Sequence, residues 1–363
     1  MLKKLVMAAV GTLMLSGCSL TLPGSIPGTS LGQGSIWKST DSGTTYEPKA
    51  DIDAQKKISA ADVVSFVFHP DDDQTIYIGT LGSGLFKTTD GAEHWVPITF
   101  PPIKNYGLAI DQKNGSRLFA SGVLGTIAKI YRTEDGGDNW KEIYTEPGKG
   151  TVITSLVSHP DDPDILYAGT SAGVIIKSVD GGGTWKNLAL VKGPVTKIAL
   201  QRGEKERVAL LILNQGVITS TNGGTTWNDL TKIAGASSAS NQNSVVDAPE
   251  TTPQGIISLA GDPTDANVFY IGSTTGLFKS TDSGKTWTTL PIIESSKNLP
   301  IRAIAINPNN SLEISYAAGQ AFYKSLDGGT HWATTQLEID RGVSTLQYSK
   351  SQPGVLYFTL RKY

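Results

Sequence analysis

The stretch "KSTDSGKTW", Lys279 to Trp287, is one of seven near copies in the chain. The others are "KSTDSGTTY" (Lys38–Tyr46), "KTTDGAEHW" (Lys87–Trp95), "RTEDGGDNW" (Arg132–Trp140), "KSVDGGGTW" (Lys177–Trp185), "TSTNGGTTW" (Thr219–Trp227) and "KSLDGGTHW" (Lys324–Trp332). Their acidic or amide residues are Asp41, Asp90, Asp135, Asp180, Asn222, Asp282 and Asp327, at intervals of 49, 45, 45, 42, 60 and 45 residues. A recurring period of this length marks a repeat architecture and suits a four-stranded propeller blade.

Each copy closes a longer unit. In the first full unit an apolar strand (Val63–Phe68), a turn (His69–Gln74), a second strand (Thr75–Gly79), a loop and a third strand (Leu85–Thr88) precede the repeated box. Alternating apolar residues and Asp/Asn/Pro turns mark antiparallel hairpins. The chain ends are incomplete in complementary ways. Strands near Val343–Tyr348 and Val355–Leu360 follow the last box, and one short strand near Ser35–Ser39 precedes the first. Joined, they complete a blade and remove two sheet edges that would otherwise invite aggregation. The expected fold is all-β: a single seven-bladed β-propeller over residues 34–363, with four-stranded antiparallel blades closed by strands from both termini.

The pattern Ser/Thr-x-Asp-x-Gly-x-Thr-Trp resembles the Asp-box, or BNR repeat, of sialidases, sortilin-type receptors, xyloglucan-degrading endoglucanases and photosystem II stability/assembly factors. The resemblance covers the chain from residue 34 onward and implies the fold rather than an activity. In the turn between third and fourth strands, an Asp can accept backbone N–H groups, Gly permits a left-handed residue, and a Ser or Thr hydroxyl can join the network. The Trp supplies apolar contact at the blade edge. The departures suit a structural role. Asn222 keeps an acceptor oxygen, Tyr46 replaces Trp, and Ala92 replaces Gly, which should strain or alter that turn. Six of the seven tryptophans belong to the boxes. An active site is not copied seven times around a ring.

The first residues read as a processing segment. A basic start (Met1–Lys4), a short apolar run (Leu5–Leu15) and "LSGC" at Leu15–Cys18 resemble the signal peptide and lipobox of bacterial lipoproteins. Residues 1–17 are therefore expected to be removed and Cys18 lipidated, each buried acyl methylene contributing about 0.8 kcal/mol of membrane binding. Cys18 is the only cysteine, so no internal disulfide can form. Residues 18–33, rich in Ser, Gly and Pro, read as a tether. The expected location is the bacterial cell envelope, lipid-anchored and facing the periplasm or exterior.

A net charge of −2 without a dense Lys/Arg stretch argues against nucleic acid as a partner. Function is expected on the face opposite the boxes, which carries the loops between second and third strands and the links between blades. Those loops read "GTLGSG", "SGVLGTIAK", "GTSAG", "LNQG", "GSTTG" and "AAGQA", without Asp or Glu. Glycoside hydrolysis needs two carboxylates across the bond. In the endoglucanases of this resemblance a catalytic acid lies in such a loop of an early blade, where this chain has "LGSG". Sialidases use three arginines and a tyrosine, and their Phe/Tyr-Arg-Ile-Pro start is absent here. Asp62, Asp247, Glu294 and Glu338 in the links keep a hydrolase open as the alternative.

The four histidines are His69 and His159 in turns between first and second strands and His94 and His331 before box tryptophans, and they are not expected to form a metal set. "DDD" at Asp71–Asp73 does not complete a calcium loop. Neither metal nor cofactor is expected. Basic residues recur before or at the innermost strands: Lys57, Lys104, Lys149, Lys192, Arg302 and Arg341. With Tyr106 as an aromatic anchor, they form a candidate rim for an acidic or C-terminal carboxylate group, set against the plainer reading of solvated surface lysines. A polar insertion at 231–254 accounts for the interval of 60. The leading expectation is a monomeric, non-enzymatic scaffold that binds a protein, as the resemblance to assembly factors implies. The alternative is a glycan-binding lipoprotein or glycoside hydrolase.

Overall fold

The computed structural model describes residues 34–52, 57–58, 61–203, 207–229, 255–293 and 299–363. The signal peptide, Cys18, the tether, Asp247, Glu294 and the 231–254 insertion lie outside the described residues.

Seven four-stranded antiparallel sheets account for every strand in the described residues. The first six full blades in chain order are β3–β6 (Val63–Phe68, Ile76–Thr80, Leu85–Thr88, Val96–Ile98), β7–β10 (Lys104–Ile110, Leu118–Leu124, Ile127–Thr133, Lys141–Thr145) and β11–β14 (Ile153–Ser158, Leu166–Thr170, Val174–Ser178, Lys186–Leu190), followed by β15–β18 (Val195–Gln201, Arg207–Ile212, Gly216–Ser220, Asn228–Asp229), β19–β22 (Ile256–Gly261, Phe269–Ser273, Leu277–Ser280, Thr288–Leu290) and β23–β26 (Ile301–Asn307, Asn310–Ala318, Ala321–Ser325, Ala333–Gln336). The seventh has the order β2-β1-β28-β27, joining Ile36–Ser39 (β1) and Glu47–Pro48 (β2) to Gly342–Tyr348 (β27) and Leu356–Arg361 (β28). The first strands β3, β7, β11, β15, β19, β23 and β27 touch in turn, and β27 touches β3. The ring is closed and seven-bladed, as expected from the repeat count.

Closure is covalent on neither side. β1 pairs with β28 from Ile36↔Thr359 to Ser39↔Leu356, and Trp37 stacks on Phe358 with ring centroids 5.8 Å apart. Tyr46, where the other boxes have Trp, meets Phe358 and Phe322 edge-on at 5.0 and 5.4 Å. It thus ties the closing blade to its neighbour.

The core is seven wedges, one between each pair of adjacent blades. Second strands supply large members of these wedges: Tyr77, Phe119, Tyr167, Tyr270, Tyr316 and Tyr357 are fully buried. Burial of side chains this size stabilises by roughly 1.5–3 kcal/mol each. Several carry a basic residue of the third strand over the ring, as Lys87 over Tyr77 (5.3 Å) and Lys279 over Tyr270 (5.4 Å). Their polar tips reach the next blade: Tyr167 donates to the Gly223 carbonyl and Tyr357 to that of Gly91.

Each repeated box is the turn between third and fourth strands. The hydroxyl two residues before the acid (Ser39, Thr88, Thr133, Ser178, Ser220, Ser280, Ser325) donates to its Oδ1 at 2.6–2.9 Å. That oxygen also accepts the N–H four residues on, as from Thr184 to Asp180 at 2.8 Å. The second carboxylate oxygen takes a side-chain donor from the same residue: a hydroxyl in Thr45, Thr184 and Thr286, an amide in Asn139, and the ring Nδ1 in His94 and His331. At Asn222 the polarity reverses, its Nδ2 donating to the Thr226 hydroxyl at 2.9 Å. An amide therefore fits where a carboxylate stands elsewhere.

The two residues after the acid are left-handed in every box, from Ser42 and Gly43 (φ 59° and 86°) to Gly328 and Gly329 (φ 76° and 97°). Ala92 adopts φ 76° and still donates its N–H to Thr88. The turn is strained there, as expected, but keeps its geometry. Ser42 and Ser283 pay the same steric penalty. The box N–H groups also bond the turns between first and second strands, as Gly91 to Gln74 and Gly136 to Ser116, so both sets share one face.

Two outcomes follow from this turn. A Cβ at Gly43 would lie 2.5 Å from the Phe322 ring at a φ of +86°. Gly43→Ala should therefore lose about 2–4 kcal/mol in chemical denaturation, strain and overpacking adding. The second concerns acid. The Thr184 N–H, then the hydroxyls of Ser178 and Thr184, hold the Asp180 carboxyl down at about 2. Asp135 (chiefly through the Thr133 hydroxyl) and Asp327 (chiefly through the His331 N–H) are likewise held below the ordinary carboxylate range. Depressed folded-state values give a stabilisation fully present above the unfolded carboxylate pKa and lost as pH falls through the folded values. The thermal midpoint should drop between about pH 4 and pH 2, and Asp180→Asn should shrink the drop; a flat profile would contradict the network.

Candidate functional site

Each innermost strand runs from the open face toward the face of the repeated turns. Near its start, each departs from regular pairing at the same position. The register shifts between Val63 and Ser65, Asn105 and Gly107, Ile153 and Ser155, Val195 and Lys197, Ile256 and Ser258, Ile301 and Ala303, and Val343 and Thr345. One residue per blade is left out of the ladder: Val64, Tyr106, Thr154, Thr196, Ile257, Arg302 and Ser344. Such bulges bend a strand and re-aim its side chains. Seven of them at one level make a ring around the mouth of the central tunnel.

A signal for the bulges lies in the sequence. In strict alternation, residues i and i+3 face opposite sides of a strand. Here both pack into the same wedge of core in pairs such as Val63/Phe66, Ile153/Leu156, Val195/Ile198, Ile301/Ile304 and Val343/Leu346. Only an extra residue between them permits this.

The expected rim residues divide into groups. Lys104, at the start of β7, and Lys149 and Lys192, in the links before β11 and β15, are exposed on the open face. Tyr106 and Arg302 occupy two of the bulges and are half-buried. The Arg302 guanidinium lies 4.0 Å from the ring centroid of Tyr363. Lys57 is exposed but paired with Asp51 at 2.9 Å.

Arg341 departs from the expectation of an exposed rim cation. It is buried, and donates to the carbonyls of Gly34 (2.9 Å) and Ala61 (3.2 Å) and to Ser35 Oγ (3.4 Å). Its position ahead of β27 puts it against the incoming N-terminal segment, where free carbonyls draw its planar fork inward. It is a clasp of the closure and is not available to a ligand.

Apolar side chains accompany the cations. Ile103, Leu124, Leu190, Leu213 and Tyr363 are exposed at loop or strand ends on this face. Two acids here are engaged with the chain itself. Asp62 accepts the Lys362 N–H at 2.8 Å, and Asp340 accepts the Arg341 Nε–H at 3.3 Å. Glu338 is exposed. The histidines serve turns: His69 and His159 accept N–H groups of the aspartates that follow them, and His94 and His331 bond box aspartates. Among the described residues the open face thus sets exposed cations and apolar side chains beside these few acids.

Residues 112–340 match the family described as the DUF6242 beta propeller domain. A xyloglucanase of Hypocrea jecorina is 25% identical over 160 residues, covering 44% of this chain and 17% of its own length. The chain spans 17% to 37% of the length of the curated xyloglucanases it matches. Among solved structures, the GH74 xyloglucanase of Xanthomonas campestris superposes with a TM-score of 0.65 at 16% identity, covering 83% of this chain and 51% of that one. YCF48 bound to a D1 peptide gives 0.62 at 16% identity, with 89% of this chain and 95% of that one covered. Identities this low establish the fold alone.

The contrast between Arg341 and the exposed lysines is measurable. Arg341→Ala leaves buried carbonyls without donors and removes packing, and should cost about 2–4 kcal/mol. Lys104→Ala and Lys149→Ala should each stay within about 0.5 kcal/mol of the parent. Equal effects in denaturation would show Arg341 to be dispensable to closure.

Proposed function

The chain belongs to the DUF6242 beta propeller family, and from that premise we propose that it is a non-enzymatic binding scaffold outside the cytoplasm. In this reading the repeated turns are Asp-boxes that fasten the blades. Cys18 carries the lipid that holds the protein in the bacterial cell envelope, and residues 18–33 space the propeller from the membrane. The open face then grips a protein partner through Lys104, Lys149 and Lys192, with Tyr106 and the exposed apolar side chains as anchors. The partner presents acidic side chains or a terminal carboxylate.

The observation that carries the reading is the character of the open face. A bulge interrupts the ladder at the open-face end of every innermost strand, and exposed cations and apolar side chains stand on the same face. Interfaces favour such mixtures of aromatic, apolar and cationic anchors. The match in size to YCF48, solved with a peptide, supports the same reading, since nearly all of that chain is covered. A glycan-binding role is the second reading, favoured by the matches to xyloglucanases. Those enzymes are much longer than this chain.

Crosslinking of the native protein in its membrane, followed by mass spectrometry, should return one reproducible protein partner. Lys104→Glu with Lys149→Glu should lower its yield several-fold, since like charges across a rim slow association. Recovery of no protein, together with retention of xyloglucan oligosaccharides on immobilised propeller, would replace the scaffold reading by the glycan one.

A further inference from the structure

Directly after the bulge, six innermost strands carry a small residue: Ser65, Gly107, Ser155, Ser258, Ala303 and Thr345. Three of these bridge to the next blade. Ser65 Oγ bonds Asn105 Oδ1 at 2.9 Å, Ser258 Oγ donates to the Ile301 carbonyl at 2.7 Å, and Ser155 Oγ accepts the Ile198 N–H at 3.1 Å. In β15 the same position holds Lys197. A four-carbon stem and a cation stand where the other blades place a hydroxyl, a methyl or nothing.

The surroundings of β15 say where that side chain goes. β16 covers its outer edge, and β11 and β19 pack on either side. The solvent left to a side chain at mid-strand is that of the central tunnel, and Lys197 is exposed. Among the described residues its ammonium has no ion-pair or hydrogen-bond partner. The surrounding protein lowers its pKa from the ordinary lysine value, through desolvation alone. Hydroxyls at this level are already committed: Thr154 donates to the carbonyls of Gly169 and Val195, and Thr196 to that of Leu211. Unlike those hydroxyls, Lys197 is uncommitted among the described residues. A desolvated cation without a counter-charge is costly, and a bound anion relieves the cost.

We infer that Lys197 is an anion-binding residue of the central tunnel, taking one carboxylate of a polypeptide that enters from the bulged face. The site rests on the tunnel geometry, while the polypeptide as its carrier rests on the scaffold reading above. A chain terminus and an acidic side chain offer the same chemistry, so either source serves. Lys104, Lys149 and Lys192 on the rim would then attract the segment, and Lys197 would fix its depth.

The test is protection of Lys197 from acylation in the full chain. A brief pulse of an amine-reactive ester at neutral pH is followed by peptide mass spectrometry, with Lys104, Lys149 and Lys192 as internal references. Acetyl-trialanine with a free carboxylate should slow Lys197 modification about fivefold at about four times its dissociation constant, as mass action requires. Acetyl-trialanine amide should not, and Lys197→Met should lose binding of the acid peptide while Lys197→Arg keeps it.

Equal protection by acid and amide, protection by inorganic phosphate but not the acid peptide, no protection by any probe, or a Lys197 that does not label at all would each overturn the assignment. The labelling arm uses the unsubstituted protein, so it decides even if Lys197→Met fails to fold. Failure of the site is distinguishable from failure of the scaffold reading. A crosslinked partner undiminished by Lys197→Met removes the site alone, and carboxylate protection without any crosslinked partner removes the scaffold reading alone.

Discussion

The antiparallel pairing of β1 with β28 is the contact on which the other six blades depend. Each wedge of core is shared by two neighbouring blades, so no blade buries its own apolar faces. A ring opened at one seam would expose two wedges' worth of aromatic surface and two sheet edges together. The closing seam is accordingly reinforced by several kinds of interaction. Backbone pairing, the Trp37–Phe358 stack, the Tyr46 contacts to Phe358 and Phe322, and the Arg341 clasp on Gly34 and Ala61 all cross between the chain's two ends. Asp73 adds a polar tie, accepting from the hydroxyl of Ser349 and from the N–H of Ser351.

The two faces of the ring use their polar groups differently. On the face of the repeated turns, almost every donor is matched within the turn or by the adjacent hairpin, so the surface is fixed by its own hydrogen bonds. On the other face the inner strands bulge, and the released residues differ from blade to blade: valine, tyrosine, two threonines, isoleucine, arginine and serine. Repetition makes the scaffold, and departure from repetition makes a surface that can tell one ligand from another. Fold alone does not specify function in such a case; the irregular residues do.

Much of the architecture was legible in the residues. The boxes gave the blade number, and strands such as Val63–Phe68 and Leu85–Thr88 lie where the alternation put them. The role of the box aspartate as a turn acceptor was legible too, because that chemistry is local and completes itself within a few residues. The site was harder. Arg341 reads like any rim cation, since nothing in its sequence neighbourhood reveals the N-terminal segment that arrives from some 300 residues away. Lys197 reads like one more strand lysine until the bulge before it and the two flanking blades are known.

The sequence by itself determined the period, the turn chemistry and the complementary half-blades at the ends, because each is a matter of local hydrogen bonding and alternation. Only the tertiary structure decided which cations are free. Whether an arginine is a clasp or a contact, and whether a lysine faces bulk water or an enclosed tunnel, depends on what distant strands bring against it. Desolvation and unsatisfied carbonyls are properties of that assembled environment.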